Sequence, residues 1–241
     1  VTAEPRAGET LPGDPLVRMF HVSKSYLPGS FALRDVTLDI QKGEFVFLTG
    51  PSGAGKTTLL RLLFAAERPS EGQVLIRGRN VARLSERAVP SLRRRIGVVF
   101  QDFKLLAGRS VEDNVAISLE VRGMHPREIR SRVFRILSQV GLQHRRAQRP
   151  LSLSAGEQQR VAIARALVGE PELLLADEPS GNLDPELTIE IMDLIIGVAA
   201  RGTAVIVATH DHGLIERYRE RTVHLADGRI SRDARAGSPP A

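Results

Sequence analysis

Apolar and polar positions change rhythm several times along this 241-residue chain. Three short runs are apolar without interruption: Phe45-Val46-Phe47-Leu48, Leu173-Leu174-Leu175-Ala176 and Ala204 to Ala208. Runs of that kind predict strands covered on both faces, as in a parallel sheet. Leu16 to Val22 and Val36 to Ile40, either side of a Pro28-Gly29 turn, predict a strand pair at a sheet edge, and Val74 to Ile76 and Ile96 to Phe100 predict further strands. A helical period of 3.6 emerges in Ile129, Val133, Ile136, Leu137 and Val140, with Pro126 suited to an early helix position. Thr57 to Ala66 also predicts a helix. So does the stretch beginning near Pro185, with Leu187, Ile191, Leu194, Ile195 and Val198 inward. Residues from about Gln101 to Gly169 read as a mostly helical insertion, and Thr222 to Ala226, Asp227-Gly228 and Arg229 to Ser231 as a closing hairpin. The alternation predicts an α/β domain over residues 16–232, with a mainly parallel sheet covered by helices. Residues 1–15 and 233–241 carry no apolar period and are expected to be frayed ends.

Composition narrows the function classes only modestly. The length suits one large domain, or one domain with a subdomain. Without cysteine there are neither disulfides nor thiolate metal sites. No apolar run approaches the roughly 18–20 residues that cross a bilayer, and Val1 to Pro15 has no signal-peptide core, so a cytoplasmic location is expected. A net charge of +6 raises nucleic acid or an anionic membrane as partners. Arginine supplies nearly all of that charge and base-stacking aromatics are only 4%, so no specific nucleic acid is expected. Arg93-Arg94-Arg95 and Arg145-Arg146 read as solvated faces that could also meet lipid headgroups.

The candidate chemistry sits where strands end. Gly50-Pro51-Ser52-Gly53-Ala54-Gly55-Lys56-Thr57, followed by Thr58, fits G-x-x-x-x-G-K-[ST]. A glycine-rich turn could match by chance, but here a strand precedes it and a helix follows. Such a loop turns its N–H groups toward phosphate oxygens, with Lys56 as a mobile charge for the β- and γ-phosphates and the Thr57 hydroxyl a ligand for Mg²⁺. Asp177 ends an apolar strand, where a carboxylate is costly unless compensated, and Mg²⁺ would compensate it. Glu178 follows, placed to activate or orient an attacking water. The bland reading of this pair is an acidic helix cap before Pro179. Gln101 and His210 also end predicted strands, at the sheet edge where α/β proteins bind ligands; Gln101 would reach the Mg²⁺ shell and His210 the γ-phosphate.

Leu153-Ser154-Ala155-Gly156-Glu157-Gln158-Gln159-Arg160 starts a helix by its own chemistry, with Ser154 as N-cap and Glu157 at the capping-box offset. Continued by Val161-Ala162-Ile163-Ala164-Arg165-Ala166, and with Asp177-Glu178 downstream, it resembles the signature sequence of ATP-binding-cassette ATPases. The resemblance spans Leu16 to Arg232. It implies a P-loop NTPase nucleotide-binding domain with a RecA-like parallel core, an antiparallel β edge and a helical subdomain near residues 101–169. It further implies ATP and Mg²⁺ as ligands and a homodimer on ATP binding, in which Ser154, Gly156 and Glu157 close over the γ-phosphate held by a second copy. Tyr26 stands where such ATPases stack an aromatic on adenine, with Phe20 and Phe31 nearby in sequence. Gly181-Asn182-Leu183-Asp184 resembles the loop that aligns the two copies, with Asp184 its key residue. Ala155 replaces a usual glycine of the signature, which bears on hydrolysis rate, and Ser180 replaces a commoner threonine.

Glu178-Pro179-Ser180-Gly181-Asn182-Leu183-Asp184 in so short a cassette resembles the branch that contains cell-division, lipoprotein-releasing and macrolide-exporting ATPases. Gly97 to Leu106, then Asn114-Val115-Ala116, is most similar to the cell-division members. That implies a polytopic membrane partner docked near Gln101 to Gly123, a peripheral place on the cytoplasmic face of the bacterial inner membrane, and control of peptidoglycan hydrolysis beyond it. Lipoprotein release or drug export are the near alternatives. A DNA-maintenance cassette would interrupt the chain between Lys56 and Ser154 with long heptads, and none occurs. A nucleotide-sensing scaffold without turnover is opposed by Glu178 and His210 but kept open by Ala155.

Overall fold

In the computed structural model, which describes residues 13–181 and 183–235, the apolar runs are strands and the periodic stretches are helices. In chain order these are β1 (Val17–Leu27), β2 (Ser30–Ile40), β3 (Phe45–Thr49), α1 (Lys56–Leu63), β4 (Glu71–Ile76), β5 (Arg79–Asn80), α2 (Val89–Arg93) and β6 (Ile96–Val99). There follow α3 (Val111–Glu120), α4 (Pro126–Gln139), α5 (Ala155–Leu167), β7 (Leu173–Asp177) and α6 (Pro185–Ala199). The chain closes with β8 (Ala204–Ala208), α7 (His212–Tyr218), β9 (Arg221–Ala226) and β10 (Arg229–Ala234). Two compact units result: the described residues up to Arg93 and from Ile206 on, and Arg94–Val205.

In the first unit, β2-β1-β4-β5 is a separate antiparallel sheet. The expected pair is present, but only β2 is an edge; β1 lies between β2 and β4. Val74 to Ile76 therefore belongs to the antiparallel sheet, where apolar Val74 and Ile76 alternate with a half-buried Leu75. A second set of strands runs β10-β9-β3-β8. β3 pairs in parallel with β9, Val46 opposite Arg221 and Leu48 opposite Val223, and all five β3 residues are buried, as its unbroken apolar run requires.

The closing hairpin turns at Asp227 and Gly228, both left-handed (φ 50° and 75°), which suits a primed two-residue turn. Its second strand runs on to Ala234, so Asp233 and Ala234 are not part of a frayed tail as the sequence suggests. Asp233 is held there by Arg221, whose guanidinium donates to Asp233 Oδ1 (2.8 Å) and Oδ2 (2.6 Å), to Glu44 Oε1 (2.8 Å) and to the Asp39 carbonyl (2.8 Å). Those bonds raise the Arg221 pKa, Asp233 contributing most, against the opposing effect of burial. One side chain thus ties β9 to β10, to the end of β2 and to the turn before β3. The expected frayed residues 1–12 and 236–241 lie outside the described residues.

In the second unit, β6 and β7 pair in parallel from Ile96 opposite Leu173 to Val99 opposite Ala176. β6 stops at Val99, one residue short of the expected Phe100. The helices α3, α4 and α5 occupy the stretch read as helical, started respectively by Ser110, by His125 with Pro126 next, and by Ser154. Along α6 the buried stripe is Ile191, Met192, Ile195 and Val198, while Leu187 and Leu194 are only half-buried. The boundary between units runs through β8: Ala204 N–H donates to the Glu172 carbonyl (2.9 Å) in one, Thr209 N–H to the Leu48 carbonyl (3.1 Å) in the other.

The basic clusters are solvent-facing as read, Arg93, Arg94, Arg95 and Arg146 being exposed and Arg145 half-buried, and several of them also have local partners. Arg93 donates to the Phe64 and Ala65 carbonyls (3.3 and 3.0 Å) and lies over the Phe64 ring. Arg95 pairs with Glu172 (3.0 Å), Arg145 with Glu157 (3.3 Å) and Arg146 with Glu112 (3.8 Å). Local acid and carbonyl partners absorb charge that the sequence leaves unassigned.

Arg221→Ala strips three elements of a shared, largely buried partner and takes the cation from Glu44 and Asp233, leaving Glu44 only its bond from Gln41 N–H (2.7 Å). It is expected to destabilise the chain by about 2–4 kcal/mol in urea unfolding. A loss within error would show that the network is only decorative.

Candidate active site

The loop after β3 is built for close backbone approach. A Cβ at Gly50 would stand 2.2 Å from the Leu225 carbonyl oxygen, and one at Gly55 would stand 2.4 Å from that of Ala32. Gly53 differs, since nothing lies within 4 Å; its left-handed φ of 78° alone selects glycine. The loop closes on itself through Ala54 N–H to the Pro51 carbonyl (3.2 Å). Gly55 is the N-cap of α1, with no side-chain hydrogen bond at the cap and no acidic residue in the first turn. α3, α4, α5, α6 and α7 all have a side chain accepting from their first N–H groups. α1 therefore starts without a side-chain cap and presents the positive end of its dipole, an arrangement suited to an anion. Lys56 Nζ donates to the Gly50 and Pro51 carbonyls (2.6 and 3.1 Å), so the cation curls over the loop that its charge would serve. Ser52 and Thr57 are exposed and Thr58 is half-buried.

Two other expected residues belong to the same unit. Tyr26, at the end of β1, is 53% exposed, and its hydroxyl donates to Glu67 Oε2 (2.6 Å) and lies 3.4 Å from Thr58 Oγ1. His210 is exposed and follows Thr209, which is bonded to Leu48 two residues before Gly50. Phe20 lies instead against His21, edge to face, and Phe31 under Arg34.

The second unit carries the remaining residues. β6 and β7 are parallel neighbours, so Gln101, Asp177 and Glu178 leave the same end of two adjacent strands. Asp177 and Glu178 are half-buried and Gln101 is exposed. Glu178 adopts φ 49°, a region costing a non-glycine residue on the order of 1–3 kcal/mol. Gly181 N–H donates to the Glu178 carbonyl (3.2 Å) and closes that turn.

Ser154 and Glu157 form the expected capping box, Ser154 Oγ accepting from Glu157 N–H (3.2 Å) and Glu157 Oε2 from Ser154 N–H (2.9 Å). The bond from Ser154 N–H is the main influence pulling the Glu157 pKa down, with burial opposing it and Arg145 assisting. Ala155 is exposed in the first turn of α5, while Gly156 is buried against α6, where a Cβ would fall 1.9 Å from Leu187 Cδ2. Asp184 caps α6, Oδ1 accepting from Leu187 N–H (3.0 Å). The starts of α5 and α6 are thus neighbours. Asn182, in the expected subunit-aligning loop, lies outside the described residues.

Reasoning from the sequence missed the residues that hold these segments in place. Gln159, 1% exposed, donates from Nε2 to the Pro179 carbonyl (2.5 Å), tying α5 to the peptide just after Glu178. Arg165 donates to the Phe103 and Lys104 carbonyls (2.6 Å each), both residues left-handed, and burial alone pulls its pKa down. Asn114, fully buried, accepts from Leu106 N–H (2.7 Å) and donates to the Leu106 and Ser110 carbonyls. The available signal was Gln159 itself, a polar residue four before buried Ile163 on a core-facing row.

Among the described residues no group of three or more His, Asp, Glu or Cys side chains could hold a metal alone. Mg²⁺ suits the donors present, since it takes one or two protein oxygens and completes its shell with phosphate and water.

The family described as ABC transporter matches residues 33–181. The chain is similar to the cell division ATP-binding protein FtsE of Mycobacterium tuberculosis, 50% identical over 92% of this chain and 97% of the relative. It is similar to that of Escherichia coli K12, 50% identical over 89% and 97%. Among solved structures, a dimeric ATP-binding cassette in a post-hydrolysis state bound to ADP and Pi superposes with a TM-score of 0.84 at 36% identity, covering 92% of this chain and all of the other.

Two glycines of the loop, Gly53 and Gly55, separate experimentally. Gly53→Ala adds only the left-handed backbone penalty and is expected to cost about 1 kcal/mol in nucleotide-free urea unfolding. Gly55→Ala adds a collision with fixed backbone and is expected to cost about 3 kcal/mol or more. Equal losses would mean that space at Gly55 is not limiting.

Proposed function

The chain belongs to the ABC transporter family as an ATPase cassette that binds ATP with Mg²⁺, and we propose that it drives a membrane complex of the cell-division type. In this reading the partner is a polytopic protein of the FtsX kind, and the cassette acts peripherally at the cytoplasmic face of the bacterial inner membrane. What passes across is a mechanical signal that regulates peptidoglycan hydrolysis. The observation that carries it is likeness to cell-division cassettes from distant bacteria over almost the whole chain, 43–50% identical and not confined to the nucleotide motifs. No described helix is long and apolar enough to cross a membrane, which fits a cassette that needs a separate spanning partner.

Each residue has a role in this mechanism. The loop from Gly50 to Gly55 and the bare start of α1 bind the phosphates through backbone N–H groups, Lys56 leaves its carbonyl partners for the β- and γ-phosphates, and Tyr26 stacks on the base. Thr57, Asp177 and Gln101 are the residues that would hold Mg²⁺, and the ion would supply charge neutralisation at the phosphates. Glu178 takes the proton of the attacking water, and His210 hydrogen-bonds the γ-phosphate. Ser154, Gly156 and Glu157 meet the nucleotide of a second copy, with Asp184 aligning the pair. The partner docks on residues 101–123. Arg165 and Asn114 support that reading, because they bind this segment to α5 and α3 and would pass its displacement to the helix that starts at Ser154.

Glu178→Gln keeps the size and acceptor oxygen of the side chain but cannot take a proton. We expect ATP binding within about threefold of the parent, turnover reduced by roughly 10²–10⁴ and an ATP-stabilised dimer in gel filtration. Phosphate release at the parent rate would remove Glu178 from this role. Affinity capture from detergent-solubilised native membranes should recover one multi-span protein required for division. Recovery of a lipoprotein-releasing or export permease instead would overturn the division assignment while leaving the ATPase intact.

A further inference from the structure

Tyr26 poses a physical difficulty as a base platform. An exposed aromatic at a strand end keeps its ring torsion soft, and ordering it on binding costs affinity. Here it is ordered in advance. The phenol donates a 2.6 Å hydrogen bond to Glu67 Oε2, the length of a charge-assisted O–H···O⁻ contact. Glu67, in the turn between α1 and β4, also meets Arg61 (3.4 Å) and Lys24 (3.5 Å). Lys24 in turn donates to the Arg68 carbonyl (3.0 Å) and sits over the Tyr26 ring, 5.1 Å from its centroid. Burial pushes the Glu67 carboxyl up, but the bonds from Tyr26 and Arg61 and the charge of Lys24 outweigh it, so its pKa lies below the ordinary value and the group is ionised at neutral pH.

An exposed ion pair would carry little weight. This cluster differs, because the Lys24 and Glu67 side chains are only 16% and 19% exposed while Tyr26 keeps 53% of its surface open. Lys24 and Glu67 are covered, though Arg61 is 57% exposed, and the platform is left bare. The phenol oxygen also lies 3.4 Å from Thr58 Oγ1, a longer contact than the one to Glu67.

We propose that Glu67 is the positioning residue of the nucleobase platform, holding the Tyr26 ring through its phenol so that stacking needs no further ordering. The inference rests on Tyr26 as the stacking residue. It gives Glu67 an effect on base binding and none on phosphate binding.

The test compares ATP with inorganic tripolyphosphate, each with Mg²⁺, by titration calorimetry. The second probe occupies the loop but has no base. Tyr26→Phe keeps the ring and loses the tether; Glu67→Ala loses it from the other side. Each is expected to weaken ATP about three- to tenfold, the worth of one hydrogen bond, and to leave tripolyphosphate unchanged. The double variant should be no weaker than either single one, and Glu67→Gln, which retains an acceptor, should recover part of the loss. Should Tyr26→Ala bind ATP like the parent, the platform itself is wrong and the inference goes with it. Where Tyr26→Ala weakens ATP but Tyr26→Phe does not, or Glu67→Ala weakens both probes equally, the platform stands and Glu67 has no part in it. Tyr26→Phe decides the matter even if Glu67→Ala unfolds.

Discussion

The first unit is arranged around one helix start that has no side-chain cap. α1 begins at a glycine whose lack of a side chain leaves its first N–H groups uncapped, where five other helices use serine, histidine or aspartate. A helix start left without a side-chain cap keeps its N–H groups and dipole available to an anion. That arrangement demands a fixed approach to the loop. Strand β3, buried throughout and paired with β9, supplies it, and the backbones of Leu225 and Ala32 press so closely on Gly50 and Gly55 that the loop has little room to relax.

The second unit solves a different problem, which is to keep reactive segments in conformations they would not choose. Glu178, Phe103 and Lys104 are all left-handed without being glycine. Each is restrained from α5: Gln159 grips the peptide after Glu178, and Arg165 grips the carbonyls of Phe103 and Lys104. One helix therefore carries the signature at its start and the restraints of two other segments along its length. A shift of α5 would be felt by both segments.

Charge follows the same economy. The excess of arginine looked like a surface property, yet several of these side chains are structural: Arg221 across three elements, Arg165 beneath a strained turn and Arg93 on two carbonyls. Planar guanidinium groups with several fixed donors suit that task, because they satisfy multiple carbonyls at once.

Much was legible from the residues alone because its cause is local. Unbroken apolar runs require strands covered on both faces, Ser154 and Glu157 cap their own helix, Asp227-Gly228 turns its own hairpin, and the spacing of Gly50, Gly55 and Lys56 has few other uses. What stayed hidden depends on partners remote in sequence. That β4 joins the antiparallel sheet rather than the parallel strands, and that β10 continues through Asp233, follow from pairing with strands whose nearness no local pattern announces. Gln159, Arg165 and Glu67 look like ordinary polar residues of a helix or a turn until folding sets a carbonyl or a phenol in front of them. Sequence by itself determined which atoms could do the chemistry; tertiary structure decided which of them are held still, since restraint is a property of contacts rather than of residue type.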